Sequence, residues 1–403
     1  MSTLVDDFPD TEDPAPEPSL QARLANLPDV VAQLAAAADE HDREASFPYD
    51  GIAAVHRAHL LTLTVGRRYG GPGATAYDLV SVLRELGRGD PAVALVSAMT
   101  HFVHLAQDVQ PTWPVELYAQ VLRDGRRSPV LLNALRVEPD LGTPARGGLP
   151  ATTARRTSDG WRITGRKIFS TGSVGLAWML VWAATDEPIP RVGSFIVPAT
   201  SAGVSIEPTW DHLGLRASAS HDVVFDDVAV PIDHHLDLTE VGSPPQGGAA
   251  GAQLAAIAGL VTTALYVGVA RNALDWVADF VTTRTPTALG APLSTLPRFQ
   301  AAVGDIALRI DAAEQLIEAA ALGIDAADPV AIARAAAGGP KVAATRELIA
   351  AVEQAVALVG NPGLSRRHPL QRHYRDVLCS RVHTPQDDAV TVGIGRSLLS
   401  SKG

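Results

Sequence analysis

Cysteine is nearly missing from this 403-residue chain: Cys379 stands alone, so no internal disulfide can form and a cysteine-rich metal site has no ligands. A single thiol fits a reducing compartment, and a cytoplasmic location is expected. Aromatic residues supply 5% and charged residues 19%, against 46% hydrophobic. That balance buries enough apolar surface to offset ordering entropy and excludes global disorder. Basic residues are outnumbered, 33 Lys and Arg against 44 Asp and Glu, for a net charge of −11, and no basic stripe is present. Nucleic acid is therefore not an expected partner. The common catalytic signatures are also absent: no GxGxxG follows a strand-like run, and GxxxxGK[ST], HExxH and GxSxG do not occur. Gly393-Ile394-Gly395 falls in a terminal helical segment and lacks a third glycine. Asp233-His234-His235 and the pair His101/His104 carry metal-ligand side chains, but ordinary loop or core histidines account for both, and no metal is expected.

What is present is organised in zones. Residues 1–18 hold six carboxylates and four prolines and read as a disordered acidic leader. Residues 19–129 carry apolar side chains at helical spacing and form an expected helical N-terminal domain. Residues 130–240 contain short Val/Ile/Thr-rich runs separated by turn residues, the pattern of a compact antiparallel β domain. After a Gly/Pro-rich linker, residues 250–403 return to alanine-rich helical periodicity, with segments near 253–283, 298–325, 328–359 and 370–400. Four helices of this length imply an antiparallel bundle. No charge falls between Glu240 and Arg271, a run long enough to span a bilayer. Its Ala/Gly/Thr content and Gln253 point instead to a buried bundle helix, with no membrane partner.

Six segments then occur in a fixed order. They are Arg68-Tyr69-Gly70-Gly71-Pro72-Gly73 with Arg84-Glu85-Leu86-Gly87-Arg88, Glu138-Pro139-Asp140-Leu141-Gly142-Thr143, and Ile163 to Gly172 (ITGRKIFSTG). Leu213-Gly214-Leu215-Arg216, Phe225 to Pro231 (FDDVAVP), and Leu358 to Gly363 (LVGNPG) followed by Arg375-Asp376 complete the series. This series resembles the acyl-CoA dehydrogenase superfamily of flavoenzymes over nearly the whole chain after the leader. The resemblance implies an α+β fold: a helical N-terminal domain, a central β-barrel and a C-terminal four-helix bundle, assembled as a homotetramer or at least a dimer. It also implies a flavin. Thr171 would sit beside N5 and O4 of the isoalloxazine, with Ser170 next to it and Phe169 as an aromatic wall where the family usually has Trp. Arg284 and Gln300 resemble residues that reach the adenosine diphosphate part of the cofactor. Gly360, Asn361 and Gly363 would approach a pyrophosphate across a subunit interface, although the glycines alone also suit a helix–helix turn.

The catalytic base departs from the family pattern. Family dehydrogenases remove a thioester α-proton with a Glu nine residues after the Arg of the RD pair, and here that count reaches Thr384, within His383-Thr384-Pro385. The alternative position, at the start of the first bundle helix, also lacks an acid. The element RDVLCSRVH resembles instead the oxygenase components of two-component flavin monooxygenases on this fold, which use O2 and reduced flavin from a separate flavin reductase through a C4a-hydroperoxide. A His can donate a hydrogen bond there or take a proton near neutral pH, so His383 is the leading catalytic candidate, with Thr171 beside it and His101 behind. The plainer alternative is a helix-terminal His383 satisfied by backbone, and its place in the motif favours the functional role. The expectation is a monooxygenase acting on a small-molecule substrate with FAD or FMN. The alternatives are a dehydrogenase-like enzyme whose base has moved, for instance to Asp387 or Asp388, and a non-catalytic partner subunit. The acid of the Glu138 loop is a dehydrogenase-like feature.

Overall fold

The structure is a computed structural model that describes residues 17–141, 148–243 and 248–400. The leader through residue 16, Gly142 and Thr143 of the loop after Pro139, and part of the 241–249 linker lie outside the described residues. Residues 17 and 18, assigned above to the leader, belong to the fold: Glu17 pairs with Arg23 at 2.7 Å, and the Pro18 carbonyl accepts from the same guanidinium.

Six helices form the N-terminal part: α1 (Leu20–Ala25), α2 (Leu27–Glu44), α3 (Tyr49–Arg57), α4 (Ala76–Gly89), α5 (Pro91–Val109) and α6 (Val115–Gly125). Local chemistry sets their ends. Thr75 and Asp78 form a reciprocal capping box on α4, and Asp90 accepts from Ala92 N–H to cap α5, whose first residue is Pro91.

Eight strands follow: β1 (Leu131–Leu135), β2 (Thr153–Arg156), β3 (Gly160–Lys167), β4 (Leu176–Thr185), β5 (Arg191–Pro198), β6 (Val204–Glu207), β7 (Asp222–Pro231) and β8 (His235–Glu240). They form one sheet in the order β6-β7-β3-β2-β4-β5-β8, with β1 added beside β4. The sheet is mixed where an antiparallel one was expected: β1 and β2 both pair parallel with β4. Strand runs and turns in a sequence report which segments extend, not which neighbour each finds. The sheet also bends on itself. Trp161 of β3 and Phe195 of β5 lie three strands apart, about 14 Å in a flat sheet, yet their rings meet edge to face at 5.3 Å. A buried ion pair fixes the start of this domain. Lys167 Nζ donates to Glu138 Oε1 at 2.6 Å and to the Trp182 carbonyl at 2.5 Å, while Ala151 and Thr152 N–H groups donate to the same carboxylate. The acid of this loop, a dehydrogenase-like mark in the sequence, is thus committed to holding the loop.

The C-terminal part contains α7 (Gly248–Thr283), α8 (Pro297–Asp325), α9 (Pro329–Ala336), α10 (Gly339–Val359), α11 (Asn361–Leu364), α12 (Leu370–Leu378) and α13 (Asp387–Ser400). Two of the four expected long helices are interrupted. The segment 328–359 breaks at Gly338 (φ +80), ahead of a proline that cannot donate into a continuing helix, and 370–400 breaks over residues 379–386 around Pro385. Helix α7 is long and apolar enough to cross a membrane, but 72% of its most apolar stretch is buried in the protein, as the core of the bundle. It crosses α4 so closely that a side chain at Gly87 or Gly268 would strike the opposing backbone, which explains the glycine of the RELGR segment.

Arg375 and Asp376 of α12 tie the three parts together. Arg375 donates to Asp42 of α2 at 2.9 and 2.5 Å and to the Leu213 carbonyl at 2.7 Å, and Asp376 accepts from Leu215 N–H at 2.7 Å. Burial pushes the Asp376 carboxyl up from 3.8 to about 6. A raised folded-state pKa means this group's contribution to stability is present below the unfolded value and lost as pH rises through the folded one. Urea denaturation across pH should show Asp376→Asn, which keeps an acceptor for Leu215, gaining stability over wild type from about pH 4 to about pH 6; a constant difference across that window would refute the assignment.

Candidate functional site

The chain leaves β3 through a corner at residues 168–173 that is laced to the segment 218–221. Ser170 N–H donates to His221 O, Gly172 N–H to Ser218 O, and the Ser173 hydroxyl to Ala219 O at 2.7 Å. Thr171 is pinned on both sides. Asn133 of β1 donates to its carbonyl at 2.9 Å, and Ser220 donates to its hydroxyl oxygen at 3.0 Å, with Ser218 a further 2.8 Å along the chain. Because Thr171 Oγ1 already accepts, its own proton is available to an outside acceptor. The neighbouring Ser170 Oγ is buried and has no hydrogen-bond partner among the described residues.

Phe169, at φ +54, turns its ring outward and remains 52% exposed, a rare arrangement for a bulky residue. It stands edge-on to His212 at 5.7 Å, and His212 stacks on Trp210 at 3.6 Å and 14°. These rings wall a cleft of about 500 Å³ with Arg166, Ser220 and Asp222. Trp210 is fixed by its indole N–H on the Leu215 carbonyl and by its own backbone N–H donating to His221 Nδ1. Arg166 pairs with both Asp222 at 2.7 Å and Glu207 at 2.6 Å, which leaves this group one negative charge in excess. Ser170 and Thr171 are not among the residues lining the cleft but directly follow its Phe169 wall, and aromatic faces with these two hydroxyls beside them suit a flat conjugated ring with acceptors along one edge. That donor set fits the isoalloxazine expected from the sequence.

His383 lies in the break between α12 and α13. Its Nε2 is 2.6 Å from the hydroxyl of Tyr266, a residue of α7 that is 1% exposed. Burial, helped by the charge of Lys341, lowers its pKa to about 4, so the ring is neutral at ordinary pH. Asp387, a candidate relocated base, is engaged by Lys341 at 3.5 Å and Arg346 at 3.3 Å. Among the described residues no hydrogen bond joins His383 to Thr171. Arg375 and Asp376, in the helix before His383, hold the loop from Leu213 onward, and Ser220 at the end of that loop bonds Thr171.

The remaining candidates fall elsewhere. His101 is fully buried in α5, both ring nitrogens lack partners among the described residues, and burial beside His104 lowers its pKa to about 3. The residue before it, Thr100, bonds Leu132 of β1, so His101 stands behind the strand that carries Asn133 rather than among the residues lining the cleft. His104 pairs with Tyr118 at 3.0 Å. Arg284 and Gln300 flank one loop: the Arg284 carbonyl accepts from Leu293, and the Gln300 amide donates to Ser294 O. Gly360 (φ +69) and Asn361 lie at the turn from α10 into α11 with open space beside Gly360, whereas Gly363 packs on Val356 and Val359. Among the described residues no group of three or more His, Cys, Asp or Glu could hold a metal ion. Sequence reading missed Tyr266, Lys341, Asn133, Ser220, Trp210 and His212. Only the Trp210/His212 pair, two aromatic side chains in a loop just before LGLR, carried a usable signal.

Comparison with known proteins is consistent along the chain. Models of the acyl-CoA dehydrogenase N-terminal, middle and C-terminal domains match residues 28–108, 136–228 and 260–387. YdbM of Bacillus subtilis (strain 168), which carries an acyl-CoA dehydrogenase name, is 31% identical over 370 residues, covering 91% of this chain and 93% of its own. The human mitochondrial short-chain specific acyl-CoA dehydrogenase is 27% identical over 362 residues, 89% and 85% of the two chains. Among solved structures, butyryl-CoA dehydrogenase from Megasphaera elsdenii superposes with a TM-score of 0.81 at 23% identity, covering 94% and 97%. FMN-bound TdsC from Paenibacillus sp. A11-2 gives 0.80 at 24%, covering 92% and 95%. Both share the fold. Phe169→Ala should weaken retention of flavin about tenfold, read by quenching of flavin fluorescence, with an unchanged melting temperature because the ring is half exposed. Unaltered affinity would remove Phe169 from the site.

Proposed function

The chain belongs to the acyl-CoA dehydrogenase family of flavin oxidoreductases, and from that premise we propose that it is a monooxygenase that oxidises a small organic substrate. The carrying observation is the side-chain set at the family's base position. Dehydrogenation needs a carboxylate there to take the thioester α-proton. This chain has Thr384, with His383 bonded to Tyr266 beside it, and the nearby Asp387 is held by two cations. When bound, a reduced flavin would supply the two electrons needed for one atom of O2 to reach the substrate while the other leaves as water.

The protein's part is position and proton control. Thr171 and the unsatisfied Ser170 hydroxyl offer hydrogen bonds to the polar edge of the ring, and Phe169 with Trp210 and His212 packs its apolar part. His383, kept neutral by burial and by the nearby Lys341, is the hydrogen-bond donor this reading assigns to the reaction, and it carries no charge. TdsC, a dibenzothiophene monooxygenase, shows that the fold hosts such chemistry. The reading includes FMN or FAD delivered reduced by a separate reductase, a homotetrameric assembly and a cytoplasmic location. The dehydrogenase names of the sequence relatives favour a second reading, thioester dehydrogenation with a base other than Asp387.

Stopped-flow mixing of the protein and reduced flavin with oxygenated buffer separates the two. The proposal expects reoxidation in two phases, with oxidised flavin appearing only in the second, and His383→Ala collapsing them into one. Single-phase reoxidation in the wild type, with bleaching of bound flavin by an acyl-CoA thioester, would overturn it.

A further inference from the structure

We propose that Tyr266 and Lys341 are positioning residues that hold His383 as an uncharged donor with its proton on Nδ1, and that this segment is clamped in place by the Lys341–Asp387–Arg346 ion-pair group. The inference rests on the reading of His383 as the functional histidine.

The first observation is a buried phenol with one partner. Tyr266 sits in the apolar core of α7, and among the described residues its hydroxyl is given a single hydrogen-bond partner, His383 Nε2 at 2.6 Å. Were Nε2 protonated, the imidazole would donate to the phenol oxygen and the phenol proton would be left buried without an acceptor. The satisfied arrangement has Tyr266 donating to a bare Nε2, which puts the ring proton on Nδ1. Burial raises the Tyr266 pKa well above its ordinary value, so the phenol stays a donor.

The second observation is how the segment 383–387 is seated. Lys341 of α10 is 3% exposed and lies 3.5 Å from Asp387, while Arg346, one turn further along α10, takes the other carboxylate oxygen at 3.3 Å. Pro385 packs where Gly338 leaves room, 2.6 Å from where a side chain would begin, and where Gly259 of α7 faces Lys341. The loop is thus gripped between α7 and α10 by an ion pair at one end and by the phenol at the other. The charged and titratable groups around it are Tyr266 from α7, Lys341 and Arg346 from α10, Asp387 on the segment itself, and Asp376 and Cys379 behind Tyr266. Lys341 is the cation that acts on the ring and opposes its protonation.

Nitrogen NMR of the full chain with labelled histidine tests this directly, with His383 identified by the signal lost in His383→Gln. The wild type is expected to show protonated Nδ1 and bare Nε2 at neutral pH. Tyr266→Phe should move the proton to Nε2, and Lys341→Met should raise the His383 midpoint by about one unit, with Lys341→Arg restoring it. A wild-type ring protonated on Nε2 overturns the proposal whatever the variants do. An unchanged tautomer in folded Tyr266→Phe, or an unchanged midpoint in folded Lys341→Met, overturns it as well. These signals need no turnover, so they stand apart from the oxygen test: single-phase reoxidation with the expected NMR pattern would discard the oxygenase reading and retain the positioning.

Discussion

Arg375 and Asp376 hold three distant parts of the chain in one geometry, and the site depends on that hold. Arg375 reaches Asp42 in the N-terminal helices and the Leu213 carbonyl in the loop before β7, and Asp376 takes the Leu215 N–H. Arg216 in the same loop donates to the Asp42 carbonyl. Leu215 in turn anchors the Trp210 indole, and the loop continues into Ser218 and Ser220, which orient the Thr171 hydroxyl. Gly214 is required because a side chain there would strike the Arg375 carbonyl. Burying Asp376 is unfavourable for its charge, so the tie specifies position at some cost in stability. The RD pair is therefore architectural in this chain, and its effect on chemistry runs through the loop it holds.

Electrostatics around the site follow one theme, the suppression of uncompensated charge. Glu138 and Lys167 are both buried and cancel each other, while Arg166 pairs with two carboxylates and Asp387 with two cations, so no charge there stands without a partner. Burial keeps His383, His101 and His104 neutral. What meets a ligand at the cleft is aromatic faces, hydroxyl groups and the paired charges of Arg166 and Asp222. Such a set can orient a flat polar ring while leaving its reactivity to the ring itself.

Much of the architecture was legible in the chain. Helical periodicity marked the N-terminal and C-terminal zones, since apolar side chains at i, i+3 and i+4 must share a face. Turn-punctuated Val/Ile/Thr runs marked the sheet. The breaks at Gly338 and Pro385 carried local signals, a Gly-Gly-Pro and a His-Thr-Pro, that strong alanine periodicity on either side obscured. The parallel pairings of β1 and β2 with β4 had no local signal, because strand partners are chosen by closure of the whole domain. Of the candidate site, Phe169, Ser170, Thr171 and His383 were singled out through their place in ordered motifs. Tyr266 was hidden in a charge-free apolar run, where a Tyr reads as core, and Lys341 sits in an alanine-rich helix with no local pattern to mark it as buried.

By itself, then, the sequence determined the order of helical, β and helical zones, the family, and the missing carboxylate at the base position. Each is a matter of residue type at a place along the chain. Tertiary structure alone decided that Tyr266 meets His383 across 117 residues, that Asp376 meets Leu215 across 161, and that Ser220 meets Thr171 across 49. A hydrogen bond is selected by which polar groups packing strands beside each other without water, and that selection occurs only when the domains close.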